Sequence, residues 1–404
     1  MRVLISGGGS GGHVYPALAV AEQLERAAAN QPITAGQAPA GPAERAAAPN
    51  QVLWLGSTDG MERALVERAD IAYQGIRTGK MRGVNPLRMA RSAGLMTAGV
   101  RDSLAAIERF GPDVCLVTGG YVCAPVVAAC RRKRVPVVVY LPDMKPGWSI
   151  QLMSRFARRV AVSFPAAAPY FGGQAPRGKA VVTGYPVRQE LVEAAANKQA
   201  SRQALATALG LDPQGLDDRP LALIWGGSQG ARSINRAAWA SLQELTPLAH
   251  VLHIVGTRDW PLYEEFAATQ LSAGQDEEMG QRYHPVAYLH EEMVQALAAA
   301  DLSIARAGAS TLGEFTVTGL PSILVPLPFS GVNQRQNARQ LAEHGAAVVL
   351  EDETLEKTLA PTATALLKDS AQLAAMAQAA RELAQPQAAA NIAHLLADVA
   401  TGSA

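Results

Sequence analysis

The chain has 404 residues, 49% of them hydrophobic, and a formal net charge of +1. That length accommodates two ordinary domains with separate cores. The net charge singles out no partner, and no nucleic-acid partner is expected. Three cysteines, at 115, 123 and 130, are an odd number without metal-site spacing, which argues against a disulfide framework and fits a reducing cytosol.

Strand 2–6 opens the chain and runs straight into Gly7-Gly8-Gly9-Ser10-Gly11-Gly12-His13, followed by a helix over 15–28. With a glycine turn beginning at residue 7, no signal peptide is expected. Residues 29–50 are rich in Ala, Pro, Gly and Gln without periodicity and read as a disordered insertion in a surface loop. Strand 52–55 leads to helix 60–68, strand 114–117 to a second glycine pair (Gly119-Gly120), and helix 123–133 to strand 135–140. These strands are continuous apolar runs, as when helices cover both faces of a sheet.

The linker is expected near 186–220, where Pro, Asp and Gly cluster around a charged helix. The second half repeats the scheme. Strand 221–225 meets the turn Gly226-Gly227-Ser228-Gln229-Gly230-Ala231 and helix 231–244; strand 250–255 precedes helix 260–270. Helix 291–299, strand 302–305, helix 310–318, strand 322–326, helix 333–344 and strand 347–350 follow. An Ala-rich helical tail over 370–400 carries Leu373, Met376, Leu383, Leu395 and Val399 as candidate buried positions, with Pro386 as a break or kink. Alternating strands and helices imply an α/β protein with two doubly wound parallel sheets, facing each other across a cleft. The expected division is 1–185, 186–370 and a tail, 371–404, that packs back on the first domain.

The chemistry concentrates where strands meet helices. The Gly7–Gly12 turn is not the dinucleotide fingerprint, because no acidic residue closes the second strand at the ribose spacing. It is either a tight turn alone or bare backbone that lets a bulky ligand approach. His13 is then either a base near neutral pH, able to take a proton from a sugar hydroxyl, or a histidine satisfied locally. The turn at 226–231 offers backbone N–H groups together with Ser228 and Gln229 to a phosphate. No Lys-Ser/Thr pair follows it, so it is not a P-loop and ATP hydrolysis is not expected. In Arg306-Ala307-Gly308-Ala309-Ser310-Thr311-Leu312-Gly313-Glu314, a helix start presents donors at Ala309, Ser310 and Thr311. Glu314 is one turn in, and either caps the helix or accepts from a ribose diol. Amide side chains around Asn333 and Gln334 suit sugar hydroxyls, or simply solvate a helix start. No DxD-like carboxylate pair appears, so neither an essential metal nor a cofactor is expected.

These residues, in this order, resemble the two-domain GT-B nucleotide-sugar glycosyltransferases, and within them the N-acetylglucosaminyltransferase family of peptidoglycan synthesis. The resemblance runs through Tyr15–Ala19, Gly56…Gly60-Met61-Glu62, Gly119–Val122, Gly184–Arg188, Gly226–Arg232, Arg306–Glu314 and Gln334–Ala338. It implies two Rossmann-like domains and inverting transfer of GlcNAc from UDP-GlcNAc to a lipid-linked muramoyl-pentapeptide, giving lipid II. It also implies that Ser10, Gly11, Gly12 and His13 face sugar and acceptor, and that Arg188 and Ser228 lie near the donor. His290 is implied to meet the uracil mainly through its backbone. Ala309 to Thr311 would hold the diphosphate, Glu314 the ribose, and Asn333 and Gln334 the GlcNAc. The chain departs from the family at Tyr140-Leu141-Pro142-Asp143, where a His-Glu-Gln-Asn stretch is usual, so Asp143 is a second candidate for substrate contact and for the base. It departs again at Asn333, where His or Gln is commoner.

From Arg77 to Arg134 eleven Lys or Arg stand against three acids. Met89, Ala93, Met96, Val100, Leu104 and Ile107 recur there at three and four spacing. This stripe either faces the core or meets an anionic lipid surface beside Lys80, Arg82, Arg88, Arg91 and Arg101. No run approaches the ~20 apolar residues of a spanning helix, so any membrane contact is expected to be peripheral, on the cytoplasmic face.

Overall fold

The central strands of the protein are apolar enough to be covered on both faces, and the helices between strands supply the cover. The computed structural model describes residues 1–9, 11–29, 51–79, 86–212, 215–227, 230–271, 277–328 and 332–403. The elements in chain order are β1 (Arg2–Gly7), α1 (Gly11–Ala29), β2 (Gln51–Ser57), α2 (Glu62–Arg68), β3 (Ala72–Ile76), α3 (Pro86–Phe110), β4 (Val114–Gly119), α4 (Cys123–Lys133), β5 (Val137–Leu141), α5 (Trp148–Ser154), β6 (Arg159–Val162) and β7 (Ala180–Val182). The chain continues with α6 (Gln189–Ala195), α7 (Lys198–Ala208), β8 (Leu221–Trp225), α8 (Arg232–Ala240), α9 (Leu242–Leu245), β9 (His250–Ile254), α10 (Trp260–Phe266), α11 (Glu277–Arg282) and β10 (Tyr283–Val286). It ends with α12 (Met293–Ala299), β11 (Leu302–Ala305), α13 (Thr311–Thr318), β12 (Ser322–Leu324), α14 (Val332–Glu343), β13 (Ala347–Val349), α15 (Leu355–Lys368), α16 (Ser370–Glu382) and α17 (Ala388–Thr401).

Two compact units result, Met1–Arg188 with Pro386–Ala404, and Gln189–Gln385. The first holds a seven-stranded sheet in the order β3-β2-β1-β4-β5-β6-β7, the second a six-stranded sheet in the order β10-β9-β8-β11-β12-β13. Every pairing is parallel. In each sheet the strand order reverses once, between β1 and β4 and between β8 and β11. Such a reversal opens a crevice beyond the strand ends, where doubly wound folds bind their ligands. The first core is built on Leu4, Leu55, Val117, Val126, Val139 and Val162, the second on Ile224, Ile234, Val251, Ile304, Ile323 and Leu359.

Several sequence expectations change. The stretch expected as a linker is largely structured: α6 and α7 pack against α12 within the second unit. Of the tail expected to return to the first unit, only the part after Pro386 does so, as α17 against α1 and β4. Helix α16 instead packs on α13 and α15. Met376, Leu395 and Val399 are buried there, whereas Leu373 and Leu383 are half-buried. Of the expected insertion, Ala29 closes α1 and residues 30–50 lie outside the described residues. The stripe on α3 faces the core at its C-terminal end, where Ile107 is buried and Leu104 packs on the same cluster. Lys80 and Arg82 lie outside the described residues, as do the side chains of Arg88, Met89, Arg91 and Ala93.

Candidate active site

In the first unit, the crevice at the β1/β4 reversal is lined by glycine on both sides, and His13 stands in it. Helix α1 starts at Gly11, so His13 lies in its first turn, beside the Gly11 and Gly12 N–H groups that a helix leaves without intrahelical partners. The imidazole packs on Gly119, which has φ +123°; a Cβ there would lie 2.7 Å from Nδ1 and Cε1. Nδ1 is buried without a hydrogen-bond partner. Burial pushes the His13 pKa below 6.5, against the opposing pull of the Asp143 carboxylate and the Thr118 carbonyl. The shift favours the neutral imidazole, the form that can accept a proton.

The frame around this histidine is tightly bonded. The Gly8 N–H donates to the Gly119 carbonyl at 3.2 Å, and the Thr118 hydroxyl donates to the His13 carbonyl at 2.6 Å. The Cys123 thiol, pushed up to about 11 by burial, reaches both the Ser6 and Gly119 carbonyls. Trp54 Nε1 donates to the Gly7 carbonyl at 3.2 Å. Two residues of the Tyr140–Asp143 departure prove to be scaffold. Tyr140 and Leu141 are buried in β5. The Ser163 hydroxyl lies within 3.2 Å of the Leu141 carbonyl and 3.1 Å of the Pro142 carbonyl, and 2.8 Å from the Tyr140 hydroxyl. Only Asp143, half-buried, acts on His13. Arg188 stacks its guanidinium 5.4 Å from the Tyr15 ring centre, one turn along α1 from Gly11 and Gly12. Ser10 lies outside the described residues.

In the second unit the crevice lies at the β8/β11 reversal. Ser228 and Gln229 lie outside the described residues. The remainder of that turn closes through the Gly230 N–H to the Gly227 carbonyl at 3.0 Å. Behind it runs a polar chain that the sequence did not reveal. Trp239 Nε1, which can only donate, bonds the Tyr283 hydroxyl at 3.1 Å. That hydroxyl therefore donates to His253 Nδ1 at 3.0 Å, and His253 Nε2–H to the Asn235 carbonyl at 3.0 Å. The Asn235 amide donates to the Val255 carbonyl and to Asp259, and Asp259 pairs with Arg232 at 3.1 Å.

The helix start at 308–314 differs in part from expectation. Thr311 is buried, and both its hydroxyl (2.7 Å) and its N–H (3.2 Å) go to the Gly308 carbonyl. Leu312 and Gly313 are also buried, their N–H groups bonded to the Ala309 and Ser310 carbonyls. This leaves the Ala309 and Ser310 N–H groups, and the Ser310 hydroxyl, which makes no capping bond. Glu314 is half-buried in the same first turn. Arg306 anchors the loop, its Nη1 reaching Asp352 and the Val325 carbonyl and its Nη2 Ser233. Asn337, fully buried, donates to the Ala307 carbonyl at 3.2 Å. Gln334 accepts from the Leu327 N–H at 3.0 Å, and Asn333 is half-buried one residue before it. The His290 N–H donates to the Glu292 carboxylate at 3.0 Å. Among the described residues no cluster suits a metal ion.

Residues 44–162 match the N-terminal domain of glycosyltransferase family 28, and residues 221–395 its C-terminal domain. A transferase of Roseiflexus sp., named for moving N-acetylglucosamine to N-acetylmuramyl-(pentapeptide) pyrophosphoryl-undecaprenol, is 38% identical over 98% of this chain and 94% of its own. The chain belongs to glycosyltransferase family 28. A family member of the same name from Desulforudis audaxviator is 36% identical over 99% of both chains. Among solved structures, MurG of Acinetobacter baumannii superposes with a TM-score of 0.67 at 25% identity, covering 98% of this chain and 99% of its own. The UDP-GlcNAc 2-epimerase of Neisseria meningitidis, at 13% identity and TM-score 0.69 over 98% and 100%, shares the fold. The paired glycine turns stand at the strand-order reversals of both sheets.

Proposed function

We propose that this family 28 chain transfers GlcNAc from UDP-GlcNAc to the muramoyl sugar of undecaprenyl-diphospho-muramoylpentapeptide, forming lipid II. The observation that carries the reading is the His13 imidazole in the first turn of α1, packed on Gly119 at the β1/β4 reversal, in a chain whose relatives are named for this reaction. The two units divide the chemistry. In the first, His13 removes the proton from an acceptor hydroxyl as that oxygen attacks the anomeric carbon opposite UDP. Asp143 steadies the imidazolium that forms. In the second, the leaving diphosphate gains negative charge as the glycosidic bond breaks. The Ala309 and Ser310 N–H groups and the turn at 226–231 stabilise it. A donor of this kind is worth ~3 kcal/mol when water is excluded. Glu314 accepts from the ribose diol, the His290 carbonyl receives a uracil N–H, and Asn333 and Gln334 bond the GlcNAc hydroxyls. One displacement inverts the donor's α linkage to β.

Among the described residues no helix is long and apolar enough to cross a membrane. In this reading the lipid-linked acceptor is met by peripheral contact, at the cytoplasmic face. The basic stretch leading into α3 supplies the attraction. Flotation with vesicles containing anionic lipid should retain the protein, and flotation independent of anionic lipid would remove this contact. The reaction itself is tested by UDP release from UDP-GlcNAc with and without a lipid I analogue. Release that requires the analogue supports transfer; ManNAc formed without it would make the chain an epimerase.

A further inference from the structure

Glu62 is a carboxylate buried to 1% exposure beside the first glycine turn, and no step above uses it. It is the first residue of α2, and its two oxygens do different work. Oε1 accepts the Ser57 N–H at 2.9 Å, at the end of β2. Oε2 accepts the Gly9 N–H at 3.4 Å, in the turn that leads to α1. The chain is shaped around this group: a Cβ on Gly8 would lie 2.6 Å from the carboxylate, and one on Gly60 2.1 Å from Oε1. From the other side, the Gly8 N–H is held by the Gly119 carbonyl. The turn is therefore clamped between Glu62 and β4, and its Gly8 and Gly9 N–H groups are both spent inside the fold. They are not offered to an anion.

We propose that Glu62 is a positioning residue for the reaction: by clamping the Gly8-Gly9 backbone it sets where α1 begins and where His13 stands in the crevice. This rests on the transferase reading above. The clamp needs a carboxylate, because both oxygens accept. An amide has one acceptor and turns a donor on the other N–H. Aspartate is one methylene short of both.

The experiment compares the wild type with Glu62→Gln and Glu62→Ala in two measurements. The first is amide hydrogen exchange, which needs no turnover. Exchange across residues 7–13 should quicken in both variants, while β5 (137–141) keeps its protection. The second is steady-state kinetics with UDP-GlcNAc and a lipid I analogue. Displacing a reacting group by about 1 Å costs ~100-fold, so Glu62→Ala should lose about that much in kcat. Glu62→Gln, which keeps the volume and one bond, should lose at least ~10-fold on the same ground. The KM for UDP-GlcNAc should stay within ~2-fold in both, since the lost factor is geometric and not donor binding. Glu62→Gln with wild-type exchange at 7–13 overturns the proposal, as does exchange that quickens equally in β5, which makes Glu62 a general fold element. Quickened exchange at 7–13 with unchanged kcat overturns it too. A wild type that releases no UDP with the analogue defeats the transferase reading instead, and the exchange result still decides the clamp.

Discussion

Replacing His13 separates the chemistry of the first unit from donor binding. His13→Ala removes the imidazole from the β1/β4 crevice, while the Gly8–Gly119 bond and the Glu62 clamp do not pass through its side chain. The backbone frame should therefore survive. Because burial holds the pKa below 6.5, the imidazole is neutral at pH 7.5 and nearly every molecule is competent, so the variant loses the full effect of a general base. That is ~100-fold or more in kcat, or about 3 kcal/mol and upward at ~1.36 kcal/mol per decade. The KM for UDP-GlcNAc should move by less than ~2-fold, since donor contacts lie elsewhere. A coupled assay of UDP release with a lipid I analogue measures both constants. The pH profile adds a second reading. In the wild type, kcat should fall on the acid side only below pH 6.5, as His13 takes up its proton. Asp143→Asn removes the carboxylate that pulls this pKa up, so the acid limb should move to lower pH. Turnover of His13→Ala within ~3-fold of wild type, well under the effect of a general base, would refute the assignment. An alkaline shift of the limb in Asp143→Asn would refute the electrostatics behind it.

Glu314→Ala should weaken UDP binding measured by calorimetry by ~10-fold or more, as for a charged hydrogen-bond acceptor lost from a ligand; an unchanged titration would reduce Glu314 to a helix-start acid. Stability should fall steeply with acid. Burial holds His253 neutral down to about 3, and burial with His250 beside it holds His284 neutral down to about 4. The unfolded chain protonates both near 6.5, so it binds up to two more protons between pH 6 and 4, and stability drops by up to about 2.7 kcal/mol per pH unit. Urea midpoints across that range check this; a flat profile contradicts it, and His253→Gln should roughly halve the slope.

The strands at the middle of each sheet were legible because they are apolar throughout. Leu4, Val117, Val139, Ile224 and Ile304 are covered on both faces. The edge strands β3 (Ala-Tyr-Gln-Gly-Ile) and β10 (Tyr-His-Pro-Val) were not legible, since a strand with one neighbour is half-wet and carries no continuous run. The linker reading saw one charged helix among the Pro, Asp and Gly of 186–220; two helices stand there, α6 and α7, and they bury Leu191, Leu205 and Ala206 within the second unit. His13 was visible as the end of a glycine turn. Glu62 stood in the sequence only as part of the family resemblance; its contact with Gly9 was not legible, because it spans 53 residues of sequence. Thr311 looked like a donor to ligand because hydroxyls at helix starts often are, but its side chain turns inward to the Gly308 carbonyl. Tyr140 and Leu141 looked like changes at the sugar site; β5 is buried on both faces, so their side chains belong to the core.

The most direct measurement is the product itself. The purified protein, UDP-GlcNAc and a lipid I analogue should yield one added N-acetylhexosamine by mass, and proton NMR should show it as a β-linked GlcNAc, matched mole for mole by UDP. An α-linked sugar, or UDP-GlcNAc consumed with no mass added to the analogue, would contradict inverting transfer from these two glycine-lined crevices.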